Sequence, residues 1–252
     1  MDRIVCNFSA GAASAVATKL AIHKFSSTHE ILIVRAKVAE EHEDNDRFSD
    51  ECERWFGMPI TVVQDDKYGA SVREVWRRKR YIIGMRGAPC RKAVKGDPLQ
   101  SLERHGDIQV LGYTAEEQDR FDGWIDANNE KRGIAPLIER GLGKSDVLAM
   151  VERAGIQLPA MYSLGFNNNN CIGCCKGGEG YWNHVRKVFP LVFQEAAEIQ
   201  RTIGPGAYFF RNRITGERFG LDQLDPNAGR HDEPMPDCSF FCELASSEMG
   251  AP

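Results

Sequence analysis

The chain has 252 residues, 42% of them hydrophobic and 27% charged, with a net charge of −4. That composition excludes a mainly disordered chain, and the length predicts one large domain or a domain with a small appendage. No run approaches 18 apolar residues, no long apolar leader follows Met1 and no global basic field is present, so the reading is a soluble, cytoplasmic protein without a membrane partner.

In chain order, Ile4 to Phe8 reads as a short buried strand, followed by the small-residue turn Ser9–Ser14 and an Ala-rich helix through about Lys24. Ile31 to Val34 is a second buried strand. Asp44 to Phe56 is a helix with Phe48, Cys52 and Trp55/Phe56 at helical spacing. Ile60 to Val63 is a third strand and Val72 to Lys79 a basic helix. Asp107 to Leu111 is a fourth strand, ending at Gly112-Tyr113-Thr114, and Glu116 to Asn128 is helical. Ser145 reads as the N-cap of a helix over 146–154 closed by Gly155. Residues 163–180 hold nine Asn or Gly and read as a loop, Val185 to Ile203 as one helix, and the rest as an irregular tail with a hairpin near Thr215-Gly216. Alternating strands and helices predict an α/β fold: a parallel twisted sheet with helices on both faces, and a smaller helical and irregular C-terminal part. The expected division is an α/β domain over 1–155 and a Cys-containing extension over 156–252.

The first strand–loop–helix carries the strongest positional signal. In Ser9-x-Gly11-x-x-Ser14, small residues let the backbone approach an anion, and the N–H groups of the next helical turn point at it. The Ser9 and Ser14 hydroxyls could donate to phosphate oxygens. Tight packing alone is the competing explanation of such a turn. No Lys follows the glycine, so this is not a Walker A loop.

Eight cysteines sit in a chain expected to be reduced. Cys6 and Cys52 read as small core residues. Cys171-Ile172-Gly173-Cys174 is a C-x-x-C knuckle in which two thiolates can reach one metal, the glycine permitting a tight turn whose N–H groups face the sulfurs. Cys175, adjacent to Cys174, starts off in a different direction and is the poorest third ligand. Residues 73–95 carry nine basic side chains against Glu74 alone. They could bind substrate anions or steer a nucleic acid, or form a solvated face neutralised by the acidic run Glu40 to Asp50.

The turn resembles the PP-loop, S-G-G-x-D-S, of the adenine nucleotide alpha hydrolase-like superfamily, with Ala10 at the second glycine position and Ala13 at the Asp. His42-Glu43-Asp44-Asn45-Asp46-Arg47-Phe48, Cys90 with Lys95 and Pro98-Leu99, Gly112-Tyr113-Thr114-x-Glu116-Glu117-x-x-Arg120, and Cys171-x-x-Cys174 extend the likeness over about residues 3–195. The set is similar to phosphoadenosine phosphosulfate (PAPS) reductase-like proteins, especially the short members of phages and other mobile elements.

The resemblance implies an adenine nucleotide (ATP, APS or PAPS) held by Ser9, Gly11, Ser14, His42, Gly112 and Arg120. His42 could alternatively cap a loop. Arg91, Lys92 and Lys95 would contact the substrate anion. It implies a [4Fe–4S] cluster on Cys90, Cys171, Cys174 and Cys242, with zinc or free thiols as alternatives. Pro89-Cys90 stands where APS reductases have adjacent cysteines. Cys238 and Cys242 lie in a segment loosely similar to the reductases' terminal E-C-G-L-H, which implies a nucleophile, with ligation or burial as alternatives.

The implied activity is sulfonucleotide reduction to sulfite, with a thiol reductant protein as partner and a homo-oligomer allowed. The alternatives are ATP-dependent sulfur transfer to a nucleic acid, which would use residues 73–95, and a non-catalytic nucleotide- or nucleic-acid-binding accessory protein.

Overall fold

The computed structural model describes residues 2–84 and 87–230. Its centre is a five-stranded, all-parallel sheet of β1 (Arg3–Asn7), β2 (Glu30–Ala36), β3 (Ile60–Val63), β4 (Ile108–Val110) and β5 (Arg132–Ile134), in the order β3-β2-β1-β4-β5. The connections carry α1 (Ala12–Phe25), α2 (Asp44–Phe56), α3 (Val72–Lys79), the short α4 (Pro89–Arg91) and α5 (Asp97–Gln100), and α6 (Gln118–Ala127). A π-turn over Lys92–Gly96 joins α4 to α5. After the sheet come α7 (Lys144–Arg153), α8 (Ala160–Ser163), α9 (Glu179–Val188), α10 (Pro190–Ile203) and a hairpin of β6 (Phe210–Arg211) and β7 (Arg218–Phe219). The parallel α/β architecture and the hairpin are as the sequence predicts.

The two faces of the sheet differ in chemistry. Ile4, Cys6 and Phe8 alternate onto one face and pack with Val16, Phe48, Phe56, Val147 and Val151 of α1, α2 and α7. Cys6 and Cys52 are buried there, and burial pushes both thiols up to about 12. The other face is buried but polar. Arg3 pairs with Asp107 at 2.6 Å and also donates to the Leu102 carbonyl, while Asn7 donates to Gln109 across the strands at 2.8 Å. Buried charges persist only when paired and hydrogen-bonded, and these are. A second core joins α3 and the Cys90 segment to the C-terminal helices through Trp76, Ile82, Cys90, Trp182 and Phe193.

Three local expectations are corrected. Ser145 is not the N-cap of α7: Gly143 holds that position, and its N–H donates to Asp146 at 2.9 Å. The helix expected over Val185–Ile203 is two helices broken at Phe189-Pro190, because proline has no N–H and its ring clashes with the preceding turn. The three-residue β5, with glycine at its centre, escapes a pattern search. Among the described residues no helix is long and apolar enough to cross a membrane.

Candidate nucleotide site and thiol cluster

β2 and β4 flank β1 on opposite sides, so the chain reverses its direction of travel at β1. Crevices beyond the carboxyl ends of strands at such a switch point are where open α/β sheets bind ligands. A cavity of about 470 Å³ lies there. Its walls are Ser9, Gly11–Ser14, Val34 and Ala36, the β4 end from Leu111 to Thr114, Lys95, Lys144 and the Asn167–Asn170 run. The volume suits a mononucleotide-sized ligand.

The Ser9–Ser14 turn is built to keep its shape. Ser14 Oγ donates to the Gly11 carbonyl at 2.9 Å and accepts from the Ser9 N–H at 3.0 Å and the Ser9 hydroxyl at 3.1 Å. The two hydroxyls therefore brace the turn, whereas the sequence reading aimed them at phosphate. Ala10 takes the left-handed conformation at φ 56°, the one glycine would adopt without strain. No side chain caps α1, so its first-turn N–H groups at the cavity wall remain available to an anion. Gly112 is required by close approach: a Cβ there would stand 3.0 Å from both the backbone N and Cα of Ser14.

The remaining predicted contacts divide. Of Arg91, Lys92 and Lys95, only Lys95 walls the cavity; Arg91 is buried elsewhere and Lys92 is exposed. The π-turn sets Lys95 where Nζ donates to Glu41 Oε1 at 3.1 Å, inside a network that includes Arg35 and Asp46. His42 does not wall the cavity. Its Nδ1 accepts from the Asp44 N–H at 3.1 Å, the capping role weighed for it. Arg120 pairs with Glu117 and lies 5.1 Å over the Tyr113 ring, outside the cavity wall. Gly112 is in the wall.

Sequence reasoning gave the asparagine run no chemistry. Asn169 is the keystone: its Nδ2 donates to the Ala10 carbonyl and to Asn45 Oδ1, both at 2.7 Å. Lys144 donates to the Asn167 carbonyl and to Asn168 Oδ1, closing the far wall. Four consecutive asparagines directly before Cys171 were the only signal.

Cys90, Cys171, Cys174 and Cys175 are all buried. Cys175, set aside by the sequence reading, hydrogen-bonds with both Cys174 and Cys90 and so joins the two segments. The hydrogen bond from Cys175 draws the Cys174 thiol down to about 7 against the opposing effect of burial, and Lys176 and Lys95 add positive charge. The Cys175 thiol is correspondingly pushed up. Gly173 has φ 79°, the tight turn expected of the knuckle. The Gly173 and Cys174 N–H groups donate to the Tyr181 hydroxyl at 2.9 and 3.1 Å, a role the sequence reading gave to the sulfurs. Among the described residues no three His, Cys, Asp or Glu side chains are arranged to hold a metal ion. Cys238 and Cys242 lie outside the described residues.

The basic stretch is neutralised in part, and among the described residues the acidic run contributes only Glu41, the partner of Lys95. Arg73 and Arg77 pair with Glu195 of α10 at 3.3 and 2.6 Å, and Arg78 pairs with Glu74 at 2.7 Å. No protein-family model matches the chain, and no curated protein matches it.

Proposed function

We propose that the chain binds an adenine nucleotide in the switch-point cavity and, like the PAPS reductase-like proteins it resembles, reduces a sulfonucleotide to sulfite. The observation that carries this reading is Lys95, which walls the nucleotide cavity while its charge reaches the Cys174 thiol. One cation thus faces both a ligand-sized cavity and a buried thiol cluster, where an anionic group would pass between them.

In this reading the uncapped turn of α1 holds the nucleotide phosphates and Lys95 holds the sulfonate. A thiolate, Cys238 or Cys242, attacks the sulfonate sulfur. The new S–S bond forms as the S–O bond to phosphate breaks, and AMP or its 3′-phosphate leaves with the electron pair. A thiolate of a dithiol reductant then attacks the protein sulfur and expels sulfite, leaving a mixed disulfide, and the reductant's second thiolate attacks its own bridged sulfur, releasing the protein thiolate and closing the reductant's disulfide.

Thiolates are soft donors, so Cys90, Cys171 and Cys174, with Cys242 as a fourth where Cys238 is the nucleophile, would hold a [4Fe–4S] cluster or zinc that would supply positive charge beside the sulfonate, although among the described residues no three are arranged as a metal site. The reading favours reduction over sulfur transfer to a nucleic acid, because Arg73, Arg77 and Arg78 already pair with carboxylates.

The test is sulfite release from APS and from PAPS by anaerobically purified protein with a dithiol reductant, alongside iron, zinc and acid-labile sulfide quantitation. Sulfite from either substrate supports reduction. Sulfur incorporation into RNA or DNA with ATP moves the assignment to sulfur transfer. ATP binding without turnover moves it to the accessory role.

A further inference from the structure

Asn169 and Asn170 are 9% and 7% exposed, and both wall the cavity. The amide orientation of Asn169 is fixed by its neighbours. Both Nδ2 hydrogens are used, on the Ala10 carbonyl and on Asn45 Oδ1, so Oδ1 is an acceptor, and it has no partner among the described residues. In the next residue of the chain, Nδ2 of Asn170 is a buried donor with no partner among the described residues. Buried amide atoms are almost always satisfied, so an orphan acceptor and an orphan donor on two consecutive residues of one cavity wall are groups that a ligand can complete.

We propose that Asn169 and Asn170 bind the ribose diol of the nucleotide, and that the site therefore selects nucleotides with an unsubstituted ribose, such as ATP or APS, over 3′-phosphorylated ones. This rests on the nucleotide-binding reading. The argument is one of donors and acceptors. Asn169 is tied to Ala10, so it stands at the loop assigned to the phosphates. A phosphate oxygen only accepts and cannot satisfy Oδ1. The donors of a 5′-nucleotide nearest its phosphates are the ribose hydroxyls, and a hydroxyl both donates and accepts. One diol can donate to Asn169 Oδ1 and accept from Asn170 Nδ2. A 3′-phosphate would replace a donor with an acceptor-only dianion facing an acceptor. Sites built to hydrogen-bond a hydroxyl discriminate strongly against analogues that lack it.

The experiment is calorimetric titration of the full chain with AMP, 2′-deoxy-AMP, 3′-deoxy-AMP and adenosine 3′,5′-bisphosphate, in wild type and Asn170→Leu, with thermal unfolding as a check on folding. The expected result is that wild type binds AMP about tenfold tighter than at least one deoxy form and than the bisphosphate, the size of one well-made hydrogen bond. Asn170→Leu should lose about as much for AMP and little for the sensitive deoxy form, since the lost interaction is shared. The deoxy analogues need no variant, so a misfolded Asn170→Leu leaves the question answerable. Equal binding of all four nucleotides, or tightest binding of the bisphosphate, overturns the ribose assignment and leaves nucleotide binding standing. Binding of none overturns both.

Discussion

Asn169 donates to the carbonyl of Ala10 at 2.7 Å and so clamps, across 159 positions of sequence, the one residue of the Ser9–Ser14 turn held in a left-handed conformation. Left-handed geometry costs an L-residue roughly 1–2 kcal/mol. The asparagine clamp and the serine brace hold the turn in place against that cost.

Ala10→Gly should therefore fold and bind nucleotide. Relief of strain is offset by the lost buried methyl, about 0.8 kcal/mol, and by glycine's entropy, about 0.5–1 kcal/mol, so stability should stay within about 1 kcal/mol of wild type. Ala10→Val places a β-branched residue at φ 56° in a fully buried position and should cost more than about 2 kcal/mol. Urea unfolding of both variants checks this; a tolerated valine would contradict the geometry.

Acid should unfold the protein partly through Asp107. Burial raises its carboxyl, but the hydrogen bond from Arg3, the Arg104 N–H and both positive charges outweigh it, so the group lies below its usual 3.8. A carboxyl depressed in the folded state stabilises at pH above 3.8, and that contribution is lost as pH falls through the lowered value. Asp107→Asn should remove this part of the acid transition. It should also cost roughly 3–5 kcal/mol at neutral pH, because Arg3 is left buried without its counter-charge. Urea unfolding at several pH values reads both effects.

Tyr181→Phe should loosen the thiol knuckle. It removes the acceptor of the Gly173 and Cys174 N–H groups, leaving donors unpaired at about 1–3 kcal/mol. Faster alkylation of Cys171 and Cys174 by a maleimide, read by mass spectrometry, is the expected outcome; unchanged labelling would mean the hydroxyl does not hold the turn.

Lys95→Met should separate binding from chemistry. The nucleotide phosphates keep the α1 turn, so AMP affinity should change less than about threefold. Sulfite release should fall about a hundredfold, in the range for loss of one charge-stabilising group. Equal losses in both would mean that Lys95 holds the nucleotide body instead of the transferred group.

The fold was legible where local pattern and tertiary demand agree. β1 to β3 each contain a run of apolar residues at the expected place, and α2 and α3 match their expected bounds residue for residue. The Phe189-Pro190 break was visible as a proline yet was read through, because apolar periodicity continues across it. Of the residues named from the sequence, Ser9, Gly11, Ser14, Gly112 and Lys95 line the cavity, Gly11 singled out by its strand–turn–helix setting and Gly112 and Lys95 by the resemblance. The clamp of Asn169 on Ala10 joins positions 159 residues apart, which no local pattern encodes. The place of Cys175 between Cys90 and Cys174 likewise depends on how α9 and the Cys90 segment pack, and its neighbour in sequence suggested the opposite.

The most direct test of the central claim is titration of AMP into wild type and Gly112→Ala. A Cβ on Gly112 would sit 3.0 Å from the Ser14 backbone and must push the first turn of α1 away from the cavity. The account predicts one saturable site in wild type and at least about a tenfold loss in Gly112→Ala, the price of displacing charge-assisted phosphate contacts. Absence of binding in wild type, or undiminished binding by a folded Gly112→Ala, would contradict it.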